Sequence, residues 1–325
     1  MIMHYNILLN YISQKKIKSK VKQLGGIMMN ILITGGTGFI GKNLSKKLLS
    51  LKHKLILIIR NTFPDFNDKN ICVIKYEKDY KTLAEKLSPY KIDLIIHLAT
   101  FFTNEHKSEE ITQIIDSNIV LGTLLLEYAK NNDIKYFINT STYATSIDDS
   151  LYNPQNLYAA TKKAFEDILY YYSQSYNIKV INLILYDTYG PQDNRKKFIN
   201  LLLDSIIRNE KEFKMSKGEQ EICYVYIDDV VSAYLKSIEL ITKEDSEKFL
   251  SYEVYGKETL KLKELAERVL KITNSNIKLE LGTYPYKKRE IMKIFHKYPK
   301  LPNWEAEVNL ERGIAEILKK IPNRS

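Results

Sequence analysis

The chain has 325 residues, 44% hydrophobic and 27% charged, so it is long enough to bury a full core and a second lobe. Its two cysteines, Cys72 and Cys223, lie far apart in the sequence, which excludes a disulfide framework or a site with cysteine metal ligands and fits a reducing cytoplasm. Half of the net charge of +10 comes from lysines within residues 1–28 and the rest is scattered, so nothing indicates nucleic-acid binding.

Residues 1–28 precede the fold pattern, and Met28 and Met29 stand directly before it. We therefore predict that residues 1–28 are a basic extension from a misassigned start. The apolar patch 2–12 is shorter than the ~20 residues needed to span a bilayer, and lysines follow it rather than precede it as in a signal peptide. A basic amphipathic membrane anchor is the alternative. We expect a cytoplasmic protein without a membrane span.

From Asn30 onward, short apolar runs alternate with longer segments of helical period, a pattern typical of βαβ units. The predicted strands are 30–34, 54–59, 71–75, 93–97, 135–140 and 179–185. The predicted helices are 40–49, 111–130 and 156–176. This order predicts an α/β fold with a Rossmann-type, doubly wound parallel sheet covered on both faces.

After about Tyr186 the segments become shorter, more polar and less regular, which indicates a smaller lobe. We assign residues 29–182 and 224–250 to a dinucleotide-binding domain. Residues 183–223 and 251–325 would form the C-terminal lobe that binds the substrate. No flexible linker separates the two, so they are expected to share one body.

A glycine-rich turn follows the first predicted strand and opens the first helix. Such glycines permit a tight turn, let backbone N–H groups approach a pyrophosphate and let the helix pack closely on the strand. The pattern therefore predicts a nicotinamide dinucleotide at this turn. The residues expected to contact it are Gly35, Thr37, Gly38, Phe39, Ile40 and Gly41.

The end of the second strand bears on which cofactor binds. An acidic residue there binds the ribose 2′-OH of NAD, whereas a basic residue binds the 2′-phosphate of NADP. The sequence offers Arg60 and no carboxylate, and Lys42 from the first helix turn can assist. We therefore predict NADP(H). NAD(H) remains possible if Arg60 is only a solvated residue at the strand end.

Tyr158 and Lys162 lie four residues apart in a predicted helix and therefore on one face. A nearby ammonium group favours phenolate, so we expect a lowered pKa for Tyr158, and Lys162 can also hold ribose hydroxyls of the cofactor. Thr142 ends the preceding strand, where it can hydrogen-bond a reacting carbonyl. Tyr158 would then exchange a proton with the substrate oxygen while hydride moves to or from the nicotinamide. The alternative is that these hydroxyls only cap the strand end.

Several motifs together resemble the extended short-chain dehydrogenase/reductase family of nucleotide-sugar enzymes. They are T-G-G-T-G-F-I-G, the Ser141-Thr142 pair, Y-A-A-T-K, H-L-A at His97, N-x-x-x-G-T from Asn118 and Y-G-P at Tyr189. The resemblance implies a Rossmann domain with a smaller substrate lobe, commonly a homodimer, and no metal. It also implies that Ala99 lies beside the cofactor and that Asn118 positions the catalytic helix.

The type of enzyme is narrowed by a departure from the family pattern. The 4,6-dehydratases place Asp and Glu after the catalytic Thr, whereas Tyr143 and Ala144 stand here, so elimination of water lacks its acid and base. The segments 156–167 and 186–191 are most similar to CDP-abequose and CDP-paratose synthases, which are 4-ketoreductases of deoxysugar nucleotides feeding bacterial surface polysaccharide. The resemblance implies NADPH-dependent reduction of a 4-keto sugar. The expected substrate contacts are Ser141, Tyr143, Arg195 and Arg289.

Two other functions remain open. The first is a nucleotide-sugar 4-epimerase with tightly bound NAD, which would show no net redox change. The second is a non-catalytic dinucleotide sensor that kept the fold and lost the chemistry. The joint presence of Tyr158, Lys162 and Thr142 argues against a sensor.

Overall fold

The structure is a computed structural model that describes residues 28–243 and 245–320. Apart from Met28, the predicted N-terminal extension lies outside these residues. Within them, seven strands form one parallel sheet in the order β11-β6-β5-β4-β1-β2-β3. Its strands are β1 Asn30–Thr34, β2 Lys54–Ile59, β3 Ile71–Lys75, β4 Leu94–His97, β5 Tyr136–Thr142, β6 Lys179–Leu185 and β11 Phe249–Val254. The predicted Rossmann-type α/β fold is confirmed.

Helices cover both faces of the sheet and build the second lobe. Their bounds are α1 Phe39–Ser50, α2 Tyr80–Leu87, α3 Ile111–Ile115, α4 Leu121–Asn131, α5 Leu157–Ser175, α6 Phe198–Ile207, α7 Ile227–Ile241, α8 Leu262–Thr273 and α9 Leu310–Lys319. The predicted helix 111–130 is interrupted, because a π-helical segment, Asp116–Val120, joins α3 to α4. Segments of this kind often mark functional positions in helices.

Three apolar clusters hold these layers together. Buried side chains of α1 and α7 pack on one face of the sheet, and those of α2, α4 and α5 pack on the other. This two-sided burial explains why the central strands read as continuous apolar runs. The third cluster joins α6, α8 and α9 in the smaller lobe.

Among residues 28–243 and 245–320, three two-stranded sheets lie outside the main sheet. They pair β7 Asp187–Tyr189 with β10 Tyr224–Tyr226, β9 Glu221–Ile222 with β12 Leu260–Lys261, and β8 Glu212–Lys214 with β13 Lys278–Glu280. The strand β11 pairs with β6 from Phe249 to Val254. The predicted domain boundaries at 182 and 250 therefore fall inside strands of the main sheet.

A crevice forms at the carboxyl edge of the sheet, at the point where the strand order reverses. β1 lies between β2 and β4, so the connections that leave the carboxyl ends of β1 and β4 pass to opposite faces and open a crevice between them. In the portion of the chain that the structure describes, no helix is long and apolar enough to cross a membrane.

Candidate active site

The glycine-rich turn adopts a conformation that side chains would prevent. Gly35 has φ +69°, and a Cβ there would lie 2.8 Å from the Ala99 nitrogen. A Cβ at Gly41 would lie 2.1 Å from the Gly35 carbonyl oxygen. Glycine is required at the first position for its backbone angle and at both for close approach. The turn thus brings the ends of β1 and β4 together.

The N-terminus of α1 fits a dinucleotide phosphate. Gly38 is the N-cap, and neither a capping side chain nor an acidic residue in the first turn is found there among the described residues. The first N–H groups of a helix need an acceptor, and the helix dipole favours an anion at this end. A pyrophosphate supplies both the acceptor and the charge.

Hydrogen bonds of Thr34 and His97 join the ends of β1 and β4 at this crevice. The Ala99 N–H donates to Thr34 Oγ1 at 3.0 Å, and the Thr34 hydroxyl pairs with His97 Nδ1 at 2.8 Å. His97 is fully buried, and burial, with a smaller contribution from Lys162, lowers its pKa to about 3. It is therefore neutral at working pH, which agrees with a structural role.

The end of β2 differs from our expectation that no carboxylate is available there. Asp65, from the connection after β2, reaches back and forms a 2.9 Å ion pair with Lys42 in the first turn of α1. Arg60 donates to the Ser117 hydroxyl at 2.7 Å. Arg60 thus stands at the expected end of the crevice, whereas Lys42 is engaged by an acid that lies six residues beyond the strand.

The end of β5 and the first turns of α5 bring Thr142, Tyr158 and Lys162 together. Tyr158 is half-buried, with the Phe102 ring edge-on at 5.0 Å between centroids. Lys162 lies one turn further on and is only 2% exposed. The predicted catalytic residues therefore share one site beside the crevice.

Burial shifts the pKa values of both Tyr158 and Lys162, and the shift for Tyr158 is opposite to the one we expected. Burial raises the pKa of Tyr158 to about 12, although hydrogen bonding with the Thr142 and Thr100 side chains lowers it in part. Burial also lowers the pKa of Lys162 to about 8, against an opposing effect of Glu166. The predicted lowering of the tyrosine pKa is thus outweighed by burial, and the phenol is protonated at neutral pH.

Asn118, in the π-helical segment, connects the crevice to α5, the catalytic helix that carries Tyr158 and Lys162. Its Oδ1 accepts hydrogen bonds from the Thr100 hydroxyl at 2.9 Å and the Phe101 N–H at 2.8 Å. Its Nδ2 donates to the Thr161 hydroxyl at 2.9 Å. The arrangement suits the positioning role that the sequence resemblance implied.

Ser141 and Tyr143 flank Thr142 but are engaged inside the protein. Ser141 donates to Glu166 rather than facing the crevice, so the structure does not bring it to the expected substrate position. Tyr143 donates to Asp187 at 2.8 Å. Burial acts to raise the pKa of Asp187, but Lys197 and the Tyr143 hydroxyl outweigh it and keep the pKa below its usual value.

The two arginines predicted to contact substrate lie in different places. Arg195 forms an ion pair with Asp193 at 2.6 Å and covers the Phe39 ring at 4.6 Å, so it stands beside the glycine turn. Arg289 donates to the Pro154 carbonyl oxygen at 2.8 Å, three residues before the first residue of α5.

Arg289 also lines an open cleft of about 360 Å³ at the N-terminus of α5. Its walls are Asn104, Glu105, His106, Gln155, Asn156, Leu157, Lys287, Lys288 and Arg289. Three consecutive cations against one acid, Glu105, favour an anionic ligand. Arg195 and Arg289 therefore border different parts of the site.

Sequence reasoning missed two acids of the site. Glu166 follows Lys162 by four residues, and this helical spacing was a signal that could have found it. Asp187 carried no comparable signal, because its contacts with Tyr143 and Lys197 depend on how β5 and β7 are placed.

Comparisons with known proteins agree with this geometry. The profile of the NAD dependent epimerase/dehydratase family matches residues 31–254. CDP-abequose synthase of Yersinia pseudotuberculosis is 32% identical over 90% of this chain and 100% of its own, and that of Salmonella typhimurium is 28% identical over 90% and 98%. The solved UDP-N-acetylglucosamine 4-epimerase of Methanobrevibacter ruminantium, 21% identical, has a TM-score of 0.79 over 91% of this chain and 98% of its own. The chain belongs to the NAD-dependent epimerase/dehydratase family.

Proposed function

We propose that the protein reduces the 4-keto group of a nucleotide-activated deoxyhexose with NADP(H), in the synthesis of a bacterial surface polysaccharide. The observation that carries this proposal is the protonated Tyr158 beside Thr142 and Lys162. With a pKa of about 12, Tyr158 carries its proton at neutral pH, and this is the state in which it can protonate the oxygen of a ketone that is being reduced. Oxidation would first require this phenol to lose its proton.

Each residue of the group has a separate task in this reaction. The Thr142 hydroxyl donates a hydrogen bond to the sugar carbonyl and orients it. Tyr158 donates its proton to the carbonyl oxygen as that oxygen gains negative charge. Lys162 holds the ribose hydroxyls of the cofactor and stabilises the tyrosinate that is left. When bound, the reduced nicotinamide supplies the hydride.

The substrate class is supported by the cationic cleft. Lys287, Lys288 and Arg289 line it together with Leu157, which directly precedes Tyr158. Guanidinium and ammonium groups on one wall suit the diphosphate of a nucleotide sugar. The similarity to CDP-abequose synthases supports a cytidine nucleotide.

The test is to incubate the purified protein with NADPH and 4-keto-6-deoxyhexoses linked to CDP, dTDP, GDP or UDP. We expect NADPH absorbance to fall in proportion to the added sugar with at least one of them, and most rapidly with CDP. Tyr158→Phe should reduce the rate by roughly 10² to 10⁴. Equal rates for the variant and the wild type would exclude this chemistry.

One observation favours a second candidate, a 4-epimerase with bound NAD. Asp65 brings a carboxylate to the first turn of α1, near where an adenosine ribose would lie, and a carboxylate there suits NAD. An epimerase interconverts two nucleotide sugars without consuming NADPH. Purified protein that carries NAD and interconverts 4-epimers without added cofactor would favour this candidate.

A further inference from the structure

Glu166 is a buried acid in the same helix as Tyr158 and Lys162. It lies in α5 one turn after Lys162 and is only 5% exposed. Glutamate is almost never buried to this extent unless it is paired, because removing its charge from water is costly. Its partners therefore indicate what it does.

Both carboxylate oxygens of Glu166 are held. Oε1 accepts a hydrogen bond from the Ser141 hydroxyl, and Oε2 accepts one from Lys163 Nζ at 3.2 Å. Ser141 belongs to β5 and directly precedes Thr142. The strand that ends at Thr142 therefore also holds the Glu166 carboxylate of α5.

The four-residue spacing in α5 puts Glu166 and Lys162 on the same helix face. The other titratable groups near Lys162 are His97 from β4, which is neutral, and Tyr158, which is protonated. Glu166 itself is faced by Lys163 from its own helix and by Tyr298 from the C-terminal lobe. Of these groups, Glu166 is the one that brings negative charge to Lys162.

We propose that Glu166, held by Ser141 and paired with Lys163, is the acid that stabilises the charge of Lys162 one helical turn away and so acts as a positioning residue of the site. A buried ammonium without a counter-charge tends to lose its proton, since burial penalises the charged form. Burial lowers the pKa of Lys162 to about 8 in this chain, and Glu166 acts against that decrease. Glu166 thereby keeps Lys162 able to hold the cofactor ribose. The effect of Glu166 on turnover rests on the proposed function, whereas its effect on cofactor binding can be tested without it.

The experiment measures the NADPH dissociation constant by nucleotide fluorescence between pH 6 and pH 10. Wild-type binding should weaken as pH rises past about 8. In Glu166→Gln the pH at which binding weakens should be lower by about one unit or more, because Lys162 loses a nearby opposite charge. Ser141→Ala should move it in the same direction by a smaller amount, and Glu166→Asp should restore part of the shift.

The matched control is Asp167→Asn. Asp167 is also an acid near Lys163, at 3.7 Å, but its side chain is 74% exposed. Its removal should leave the pH at which binding weakens unchanged. A purely structural role for Glu166 would instead weaken binding equally at every pH.

A Glu166→Gln curve that superimposes on the wild-type curve would overturn the inference. If Glu166→Gln does not fold, Ser141→Ala decides, because it leaves the carboxylate in place and removes only its anchor. An unshifted Ser141→Ala curve would then overturn it. If no 4-keto sugar is reduced by the wild type, the proposed function fails while the binding curves still test Glu166.

Discussion

The side-chain amide of Asn118 donates a hydrogen bond to the Thr161 hydroxyl at 2.9 Å, and this bond joins the π-helical segment to the catalytic helix. Thr161 directly precedes Lys162. The same asparagine binds the backbone of Phe101 through both of its polar atoms. The position of Lys162 relative to the end of β4 therefore depends on Asn118.

Removal of the Asn118 amide should damage both stability and turnover. Asn118→Ala removes the acceptor of the Phe101 N–H and the Thr100 hydroxyl, and one of the two partners of the Thr161 hydroxyl. This loss should lower the free energy of unfolding by about 1–3 kcal/mol. The misplaced helix should lower kcat at least about tenfold. Denaturant unfolding and steady-state kinetics measure the two effects.

The control for this variant is Asn132→Ala. Asn132 directly follows α4, and its side-chain amide donates a local hydrogen bond to the Tyr128 carbonyl oxygen of that helix. Its removal should change both quantities little. Wild-type stability and kcat in Asn118→Ala would show that the network does not position the helix.

Two glycines of the turn should respond differently to alanine. A Cβ at Gly41 would overlap the Gly35 carbonyl oxygen, so Gly41→Ala should lower Tm by several degrees or prevent folding. Gly38 has φ −76°, and a Cβ there would meet the Gly35 oxygen at 3.3 Å, so Gly38→Ala should nearly keep its Tm. It should nevertheless weaken NADPH binding, because the methyl group stands at the free N-terminus of α1. Unchanged NADPH affinity in Gly38→Ala would place the pyrophosphate elsewhere.

Arg60 and Asp65 provide a test of cofactor preference. If Arg60 binds the 2′-phosphate, Arg60→Ala should lower kcat/KM for NADPH by about tenfold and leave NADH use almost unchanged. Asp65→Ala is the matched variant, and it frees Lys42 while removing the nearby acid. It should therefore raise the preference for NADPH. Loss of NADH activity in Arg60→Ala, with NADPH activity retained, would contradict the assignment.

Lys162 should make stability depend on pH in an unusual window. Its pKa is about 8 in the folded chain, below the value of 10.5 for an exposed lysine. Between these values the unfolded chain binds the proton and the folded chain does not, so stability should rise as pH rises. From pH 8 to pH 10.5 the unfolding free energy of the wild type should therefore rise relative to that of Lys162→Met, by up to about 3 kcal/mol. A difference independent of pH would refute the lowered pKa.

Much of the fold could be predicted from local sequence. Four strands, β1, β2, β3 and β6, begin and end at the predicted residues. For β1, β2 and β6 the reason is that strands buried on both faces read as continuous apolar runs. The π-helical segment could not be predicted, since one extra residue in a turn hardly disturbs an apolar pattern of helical period. The catalytic group was predictable because Tyr158 and Lys162 share one helix and Thr142 ends a strand.

The contacts that tune this group depended on distant chain segments. Ser141 lies next to Thr142, yet successive side chains of a strand face opposite sides, and its partner is 25 residues away. Asp65 reaches back to α1 from a connection whose path the sequence does not indicate. The raised pKa of Tyr158 results from burial, which only the packed structure provides.

The central claim is that hydride passes from the cofactor to C4 of the sugar while Tyr158 supplies the proton. The most direct measurement uses NADPH deuterated at the transferred position of its nicotinamide ring, with a nucleotide-linked 4-keto-6-deoxyhexose, and locates the label in the product by NMR. We predict one deuterium at C4 for each NADPH oxidised, and almost no product with Tyr158→Phe. A sugar product without deuterium, or with deuterium at another carbon, would contradict the account.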